Sequence, residues 1–195
     1  SLPAIGLIVS GGHSNLYLMK SPTNYKLLGQ TRDDAAGEAF DKVSRILGLG
    51  YPGGPAIDRL ARSGTASTLR FSCAKMEGTH DFSFSGIKTA VLQYQQKNKA
   101  SSQQELAKIA YSFQDSVVSI LVKKSINACL QKKIKTLLLG GVVAANSALR
   151  QRLAAQGEKN GITIYLPPMS LCLDNAAMIA GAGYHYLKKS NNHKK

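Results

Sequence analysis

The second half of the chain alternates between helical and extended periodicity, and this alternation constrains the fold more than any other feature. The predicted elements of this half are a helix over residues 104–131, a buried strand over 135–139, a helix from 146 or 147 to about 156, a strand over 162–166 and a helix from Asp174 to about Lys188. Apolar residues lie along one stripe of the first of these helices. Because strands that alternate with helices pair in parallel, the pattern predicts an α/β architecture.

The first half opens with a predicted β-meander. Apolar runs at residues 4–9 and 15–19 flank the pair Gly11-Gly12 and predict a hairpin, and residues 25–28 predict a third strand. From Phe40 to Leu47 the apolar spacing becomes helical, and glycines follow at the end of that helix.

A run rich in proline and glycine over residues 51–55 predicts a turn, and a second short helix is expected from about Ala56. Residues 63–85 are predicted to be irregular. The segment 81–89 alternates aromatic and hydroxyl side chains, which fits a short edge strand as well as it fits a segment that contacts a ligand.

The charge balance favours an anionic partner. The chain has 25 lysines and arginines against 11 aspartates and glutamates, a formal net charge of +14. Any one basic cluster is explained by a solvated surface, but the excess over the whole chain favours contact with RNA. The last eight residues, 188–195, predict a basic and disordered tail.

Composition also narrows the compartment. Three cysteines without a CxxC spacing support neither a disulfide framework nor a zinc ribbon, so a reducing, cytoplasmic setting is expected. The apolar runs are too short to cross a bilayer, so no membrane contact is expected. The chain starts Ser1-Leu2-Pro3 without a methionine, which indicates a piece of a longer protein.

Two glycine-rich segments are candidate sites for binding phosphate or nucleotide. The turn Ser10-Gly11-Gly12 would let backbone N–H groups converge on one point, although a plain hairpin turn explains it equally. The loop before Asp58 permits close approach of a ligand, and that carboxylate could bind ribose hydroxyls; an ordinary turn between helices is the alternative.

Carboxylates gather at the start of the first predicted helix. Asp33 and Asp34 are explained by helix capping. Asp34, Glu38 and Asp41 share one face, which is costly unless a cation, a ribose or hydrogen-bond donors meet them. We interpret Asp41 as a functional residue because it lies at the edge of the buried stripe.

Two later segments complete the candidates. The run from Gly140 to Asn146 follows a buried strand, and ligands of open α/β sheets bind at such carboxyl ends. Asp174 stands at a predicted helix start, where an N-cap is more common than a metal ligand.

The motifs occur in the order found in one known family. They are VSGGHS, DDAAGEAFDKVSRILGLGYPGGPAID, DFSFSGIKTAV, GGVVAANSALR and LCLDNAAMIA. Together they span nearly all of residues 5–185, and the second motif is highly specific. The chain therefore resembles the TsaD family, and the histidine of the first motif is typical of its bacterial branch.

The resemblance implies a fold of the actin, Hsp70 and sugar-kinase type, with a mixed sheet and flanking helices. Residues 1–187 would form the C-terminal nucleotide-binding lobe. The implied reaction transfers a threonylcarbamoyl group from threonylcarbamoyl-AMP to the adenine next to the anticodon of tRNAs that read ANN codons. Implied partners are tRNA, the adenylate and proteins of the TsaB and TsaE types.

The resemblance also assigns residues to roles. The backbone of the first turn would hold the acyl-phosphate region, at Ile8, Val9, Ser10, Gly11 and Gly12. The adenylate would be held by Asp41, Gly54, Asp58 and Asn146. Asp174 would be one ligand of a divalent metal, iron or zinc, and no side chain is assigned as a covalent nucleophile.

Two departures from the family pattern bear on activity. Family members carry an N-terminal lobe with a pair of metal-binding histidines on a helix, and one aspartate alone cannot hold a metal tightly. We therefore expect this chain to be inactive by itself. The stretch from Gly140 to Asn146 also holds one residue more than the usual pattern. The alternative functions are an ATP-dependent phosphotransferase of the same fold and a non-catalytic binding or assembly module.

Overall fold

A computed structural model describes residues 2–64 and 68–192 of the chain. The strands are β1 (Ala4–Val9), β2 (Ser14–Ser21), β3 (Asn24–Gln30), β4 (Thr136–Gly140) and β5 (Thr163–Tyr165). The helices are α1 (Ala36–Ile46), α2 (Gly53–Ser63), α3 (Ser85–Asn98), α4 (Gln103–Lys132), α5 (Ser147–Asn160) and α6 (Ala176–Asn192). Short 3-10 turns cover Val142–Ala145 and Met169–Leu171.

Within the described ranges the strands form one five-stranded mixed sheet in the order β3-β2-β1-β4-β5. The meander β1-β2-β3 is antiparallel, while β4 pairs with β1 in parallel, from Ile5 opposite Leu137 to Ile8 opposite Gly140. The predicted α/β class is confirmed. Because β1 and β4 run the same way, their carboxyl ends meet at one edge of the sheet, called the sheet edge below.

The core lies between the sheet and the helices α1, α2 and α4. Every residue of β1 except Ile8 is buried, because this strand lies in the middle of the sheet. On the helical side, Phe40 of α1 meets Phe113 of α4 edge to face, with ring centroids 5.1 Å apart. Cys129 is fully buried in this core. Helix α4 thus anchors both the sheet and the smaller helices.

Most of the predicted elements are confirmed, with two corrections in the first half. Helix α2 begins at Gly53 and not near Ala56, because Gly54 and Pro55 fit its first turn, where no intrahelical N–H donor is needed. The segment 81–89, for which an edge strand was one of two interpretations, forms a single bridge between Phe82 and Thr31 and then becomes α3.

The last helix is also longer than predicted. Helix α6 starts at Ala176 and continues to Asn192, so residues 188–192 of the predicted tail are helical; residues 193–195 lie outside the described part. Among the described residues, no helix combines the length and apolar character that crossing a bilayer requires.

Candidate functional site

The glycine turn after β1 is closed on its inner side and open on its outer side. The Ser10 N–H donates to the His13 carbonyl at 2.8 Å, and the His13 N–H donates to the Ser10 hydroxyl at 3.1 Å. A Cβ built on Gly11 or Gly12 would have no neighbour within 4 Å. The turn is therefore held in shape by its own bonds while its two glycines face open space.

Gly141 brings the end of β4 against the end of β1. Its φ is +92°, and a Cβ there would lie 2.2 Å from the Val9 carbonyl oxygen. No side chain can occupy that position without moving backbone. The close approach fixes the Val142–Ala145 turn beside the glycine turn.

Helix α1 begins directly beneath the glycine turn. The Gly37 N–H donates to the Ser10 carbonyl at 3.1 Å, and the Ala36 N–H donates to the buried Ser14 hydroxyl at 2.8 Å. A Cβ on Gly37 would lie 2.6 Å from that Ser10 oxygen. The side chain that caps α1 is thus Ser14, and the predicted capping by Asp33 and Asp34 is wrong.

Asp33 instead caps a different helix. Its carboxylate accepts hydrogen bonds from the Ser83 hydroxyl at 2.5 Å, the Phe84 N–H at 2.7 Å and both the hydroxyl and the N–H of Ser85, at the start of α3. Partial burial disfavours its charge, but these donors outweigh that effect and lower its pKa. Asp33 therefore joins the loop before α1 to α3.

The other carboxylates of the cluster find a cation within the chain. The Lys42 ammonium lies 2.7 Å from Asp34 and 2.8 Å from Glu38. The predicted need for a counter-charge on this helix face is met for these two groups by Lys42, which leaves Asp41 apart from the pair.

Asp41 fixes the start of α2 and keeps one oxygen open. Its Oδ1 accepts the Gly53 N–H at 2.7 Å, and a Cβ on Gly53 would lie 2.6 Å from the Asp41 Cα. Its Oδ2 has no hydrogen-bond donor among the described residues, and the side chain lines a cavity of about 370 Å³ together with Gly50 and Tyr51. Gly54, next along α2, has nothing within 4 Å of an added Cβ, so a ligand can approach its backbone.

Asp58 holds the start of α5. Its buried carboxylate accepts from the Ser147 hydroxyl at 2.7 Å, the Ser147 N–H at 3.4 Å and the Arg62 guanidinium at 3.0 Å. These donors occupy both oxygens. The side chain links α2 to the sheet edge, which is a supporting position.

Asn146 is the N-cap of α5, so the helix takes one of the two starting positions that the sequence left open. Its Oδ1 accepts the Leu149 N–H at 2.9 Å, and its Nδ2 donates to Gln114 Oε1 at 2.7 Å. The residue is buried, so both bonds are shielded from water. Through Gln114, the site edge is tied to the N-terminal half of α4.

Asp174 is exposed and makes no hydrogen bond or ion pair with any described residue. The cap of α6 is the next residue, Asn175, whose Oδ1 accepts the Met178 N–H at 3.0 Å. The predicted start of the helix at Asp174 is therefore wrong by two residues. The carboxylate of Asp174 is left free for another ligand.

The segment that leads to Asp174 is tied to the sheet edge. The Arg150 guanidinium donates to the carbonyls of Ala144 at 3.1 Å and Pro167 at 3.0 Å. Across the described ranges, no three His, Cys, Asp or Glu side chains are grouped so that they could hold a metal ion. Asp174 therefore belongs to no such group within the described residues.

These contacts gather the predicted residues in one region. The glycine turn, Asp41 and Gly54, Asp58 and Asn146 are linked along the sheet edge, and Asp174 stands apart from them. Ser14, Gln114 and Ser147, which fix this arrangement, were not predicted. The period of two in β2 is a signal that could have placed Ser14 on the inner face. Ser147 was one of two predicted starts of α5, but no local pattern marks its contact with Asp58 or the role of Gln114.

Comparison with known proteins bears on this site. A family model described as TsaD, tRNA N6-adenosine threonylcarbamoyltransferase, matches residues 1–181. A protein of that name from Symbiobacterium thermophilum is 50% identical over 191 residues, which cover 98% of this chain and 56% of the relative. One from Moorella thermoacetica is 48% identical over 191 residues, covering 96% of this chain and 56% of the relative. The chain thus spans little more than half the length of these relatives.

Solved structures support the fold alone. Full-length HypF in its phosphate- and nucleotide-bound form has a TM-score of 0.65 at 12% identity, over 87% of this chain and 31% of that one. HypF from T. kodakarensis has a TM-score of 0.60 at 20% identity, over 87% of this chain and 21% of that one. The predicted fold of the actin, Hsp70 and sugar-kinase type is confirmed.

Proposed function

We propose that this chain, which belongs to the TsaD family of tRNA N6-adenosine threonylcarbamoyltransferases, supplies the adenylate-binding lobe for threonylcarbamoyl transfer to tRNA. The donor would be threonylcarbamoyl-AMP, and the acceptor the adenine next to the anticodon of tRNAs that read ANN codons. We place the reaction in the cytoplasm.

This proposal is supported by open backbone and one open carboxylate oxygen on elements that are joined at the sheet edge: the glycine turn contacts Gly37 of α1, and Asp41 lies one turn further along that helix. The N–H groups of Gly11 and Gly12 have no hydrogen-bond acceptor among the described residues. Such unpaired N–H groups suit a phosphate. The free Oδ2 of Asp41 and the uncovered backbone at Gly54 suit a ribose and its base.

Asp58 and Asn146 then act as positioning residues. Each is buried and fully engaged with protein partners, so each would hold the adjacent backbone in place. Rigid positioning is the main contribution that this lobe can make, because the described residues at the edge include no activated nucleophile.

The transfer balances without a covalent enzyme intermediate. The adenine N6 amine attacks the carbamoyl carbonyl carbon, and a new C–N bond forms. The bond from that carbon to the phosphate oxygen breaks, AMP leaves with the electron pair, and the proton that N6 loses passes to solvent. Glycine N–H groups around the phosphate would stabilise the negative charge that develops on the leaving AMP.

A divalent metal, iron or zinc, would be bound in part by Asp174, whose exposed carboxylate has no protein partner in the described ranges. Such a metal polarises an acyl oxygen when it is bound. Family resemblance assigns the remaining ligands to histidines of an N-terminal lobe. We therefore expect the purified chain to carry no stoichiometric iron or zinc in elemental analysis, and stoichiometric metal would contradict this assignment.

The exposed surface of α6 favours contact with a second lobe. Each described side chain of this helix, from Ala176 to Ser190, is exposed, and the exposed set includes Ile179 and Leu187. Apolar surface of this extent marks an interface. We propose that the rest of a full-length family protein covers it and completes the metal site, and that TsaB- and TsaE-like proteins bind the full-length protein.

Two matched glycine variants test the adenylate site. Gly54 and Gly86 each occupy the second position of a helix, and neither has a neighbour within 4 Å of an added Cβ. Gly54→Ala should weaken binding of threonylcarbamoyl-AMP in calorimetry by about tenfold, the effect of one misplaced contact. Gly86→Ala should leave it unchanged.

Equal effects of the two substitutions would contradict the site. Turnover of ATP by the chain would favour the phosphotransferase alternative. Binding of neither nucleotide would favour a non-catalytic assembly module.

A further inference from the structure

The outer face of the C-terminal half of α4 is flanked by two cavities. One, of about 240 Å³, lies between α4 and residues 75–80; the other, of about 540 Å³, lies between α4 and α5. Both are lined by Lys123 and Asn127, so they form one continuous surface across the helix. We call this surface the α4 groove.

The α4 groove is basic, and its lysines are available. Lys75 and Lys123 are exposed and make no hydrogen bond or ion pair with a described residue. Arg152 lines the second cavity, where Asp115 partly neutralises it. Glu77 is the one acidic side chain among the described residues that line the two cavities.

A buried lysine shapes the first cavity. The ammonium of Lys124 donates to the carbonyls of Met76 at 3.0 Å and Thr79 at 2.8 Å. It thereby holds the loop that carries Lys75 and His80 against α4. The pKa of His80 is lowered by burial and by the nearby charges of Lys132 and Lys124, which agrees with a positive local field.

The other polar lining groups are side-chain amides. Asn127 and Gln131 line the first cavity, and Gln156 and Asn160 line the second. Ammonium and amide groups are the usual donors to RNA phosphates and sugars. No Phe or Tyr is among the described lining residues, so the groove offers little stacking surface for unpaired bases and fits the backbone of a helical stem.

The α4 groove extends away from the sheet edge along helix α4. Gln114 of α4 contacts Asn146 at that edge. Lys123 is nine residues further on, about 14 Å along the helix axis at 1.5 Å per residue. Nine residues are about two and a half turns, so Lys123 lies on the side of α4 opposite Gln114, and a stem that adjoins a base held at the edge would pass around the helix to reach the groove.

We propose that the α4 groove binds the sugar-phosphate backbone of the tRNA stem next to the modified adenine. The identity of the nucleic acid rests on the proposed function, whereas the phosphate-binding role of the α4 groove does not depend on the adenylate site. Lys75 and Lys123 make the phosphate contacts, and Lys124 is a positioning residue for the loop.

The experiment is a tRNA titration followed by fluorescence anisotropy at several salt concentrations, with the whole chain. The double variant Lys75→Ala and Lys123→Ala should weaken binding about tenfold near 0.1 M salt and reduce the slope of log K against log salt by about 2, one per lost contact. The charge-matched control is Lys26→Ala and Lys97→Ala, which removes exposed lysines of β3 and α3.

The control should keep both the affinity and the slope within twofold of the unchanged chain. Equal losses in the two double variants would overturn the groove, because binding would then follow net charge alone. Absence of tRNA binding would also overturn it, and the adenylate titration would still decide the proposed function. Preference for an unpaired RNA over tRNA would overturn the assignment to a stem.

Discussion

The sheet edge and the segment 169–192 differ in whether their polar groups are hydrogen-bonded and their apolar groups buried. At the edge, Asp58 and Asn146 are buried and hold neighbouring backbone through internal hydrogen bonds. Along the segment, Asp174 has no partner among the described residues, and apolar side chains such as Leu173 and Ile179 are exposed. The groups of the first region are held by contacts within the described residues, whereas those of the second are exposed.

This difference separates two kinds of functional surface. A ligand that binds the edge meets backbone already fixed by the fold, so little ordering entropy opposes binding. The α6 segment exposes apolar area that water solvates poorly. We infer that the sheet edge can bind its ligand in this chain alone. Metal binding, by contrast, would require the lobe that covers α6.

Substitution of glycine by alanine should give the largest difference in stability between the two regions. Gly141→Ala places a Cβ 2.2 Å from the Val9 oxygen at a φ of +92°. It should lower the free energy of unfolding by at least about 3 kcal/mol, measured by urea denaturation.

The matched change in α6 is Gly183→Ala, where an added Cβ has no neighbour within 4 Å. It should raise stability by up to about 1 kcal/mol, the difference between the two residues in a helix. A large loss there would show that α6 is already packed.

Removal of a helix cap should give the next largest contrast. Asn146→Ala removes the cap of α5 and leaves the buried Gln114 Oε1 without its donor, so it should cost about 2–3 kcal/mol. Asn175→Ala removes the cap of the exposed α6 and should cost about 1 kcal/mol or less. Thermal unfolding of both variants measures the difference, and equal costs would contradict the contrast.

The decrease in the free energy of unfolding at acid pH should depend on Asp33. Its pKa is lower in the folded chain than in the unfolded one, so its contribution is present above the unfolded value of about 3.8 and is lost as the pH falls through the folded value. Asp33→Asn should lower stability at neutral pH and flatten the decline between about pH 5 and 2.

The matched change is Asp174→Asn, which removes a carboxylate that has no described partner. It should leave the denaturation midpoint at pH 7 unchanged. An unchanged decrease at acid pH in Asp33→Asn would contradict the role of Asp33 in holding α3.

The sequence predicted those parts of the molecule that depend on local patterns. Apolar periodicity placed the meander and the α4-β4-α5-β5 succession, since these elements carry apolar residues at regular spacing. Helix α3 was missed because its buried apolar residues are few, Ile87 and Val91, and its cap comes from Asp33, about fifty residues earlier. A partner so distant in sequence leaves no local signal.

The candidate site divides in the same way. Glycines and carboxylates could be named from motifs, because glycine permits backbone conformations and close approaches that other residues do not. The motifs could not show which carboxylate oxygen stays open. That depends on the hydrogen bond from Gly53 to Asp41 and on the one from Ser147 to Asp58. Those pairings exist only once the helices have packed.

Hydrogen–deuterium exchange of the whole chain, with and without saturating threonylcarbamoyl-AMP, would locate the ligand on the fold. We expect slower exchange in residues 8–12, 53–58 and 141–147 and no change in 176–192. No protection at the sheet edge, or protection in α6 equal to that at the edge, would contradict it.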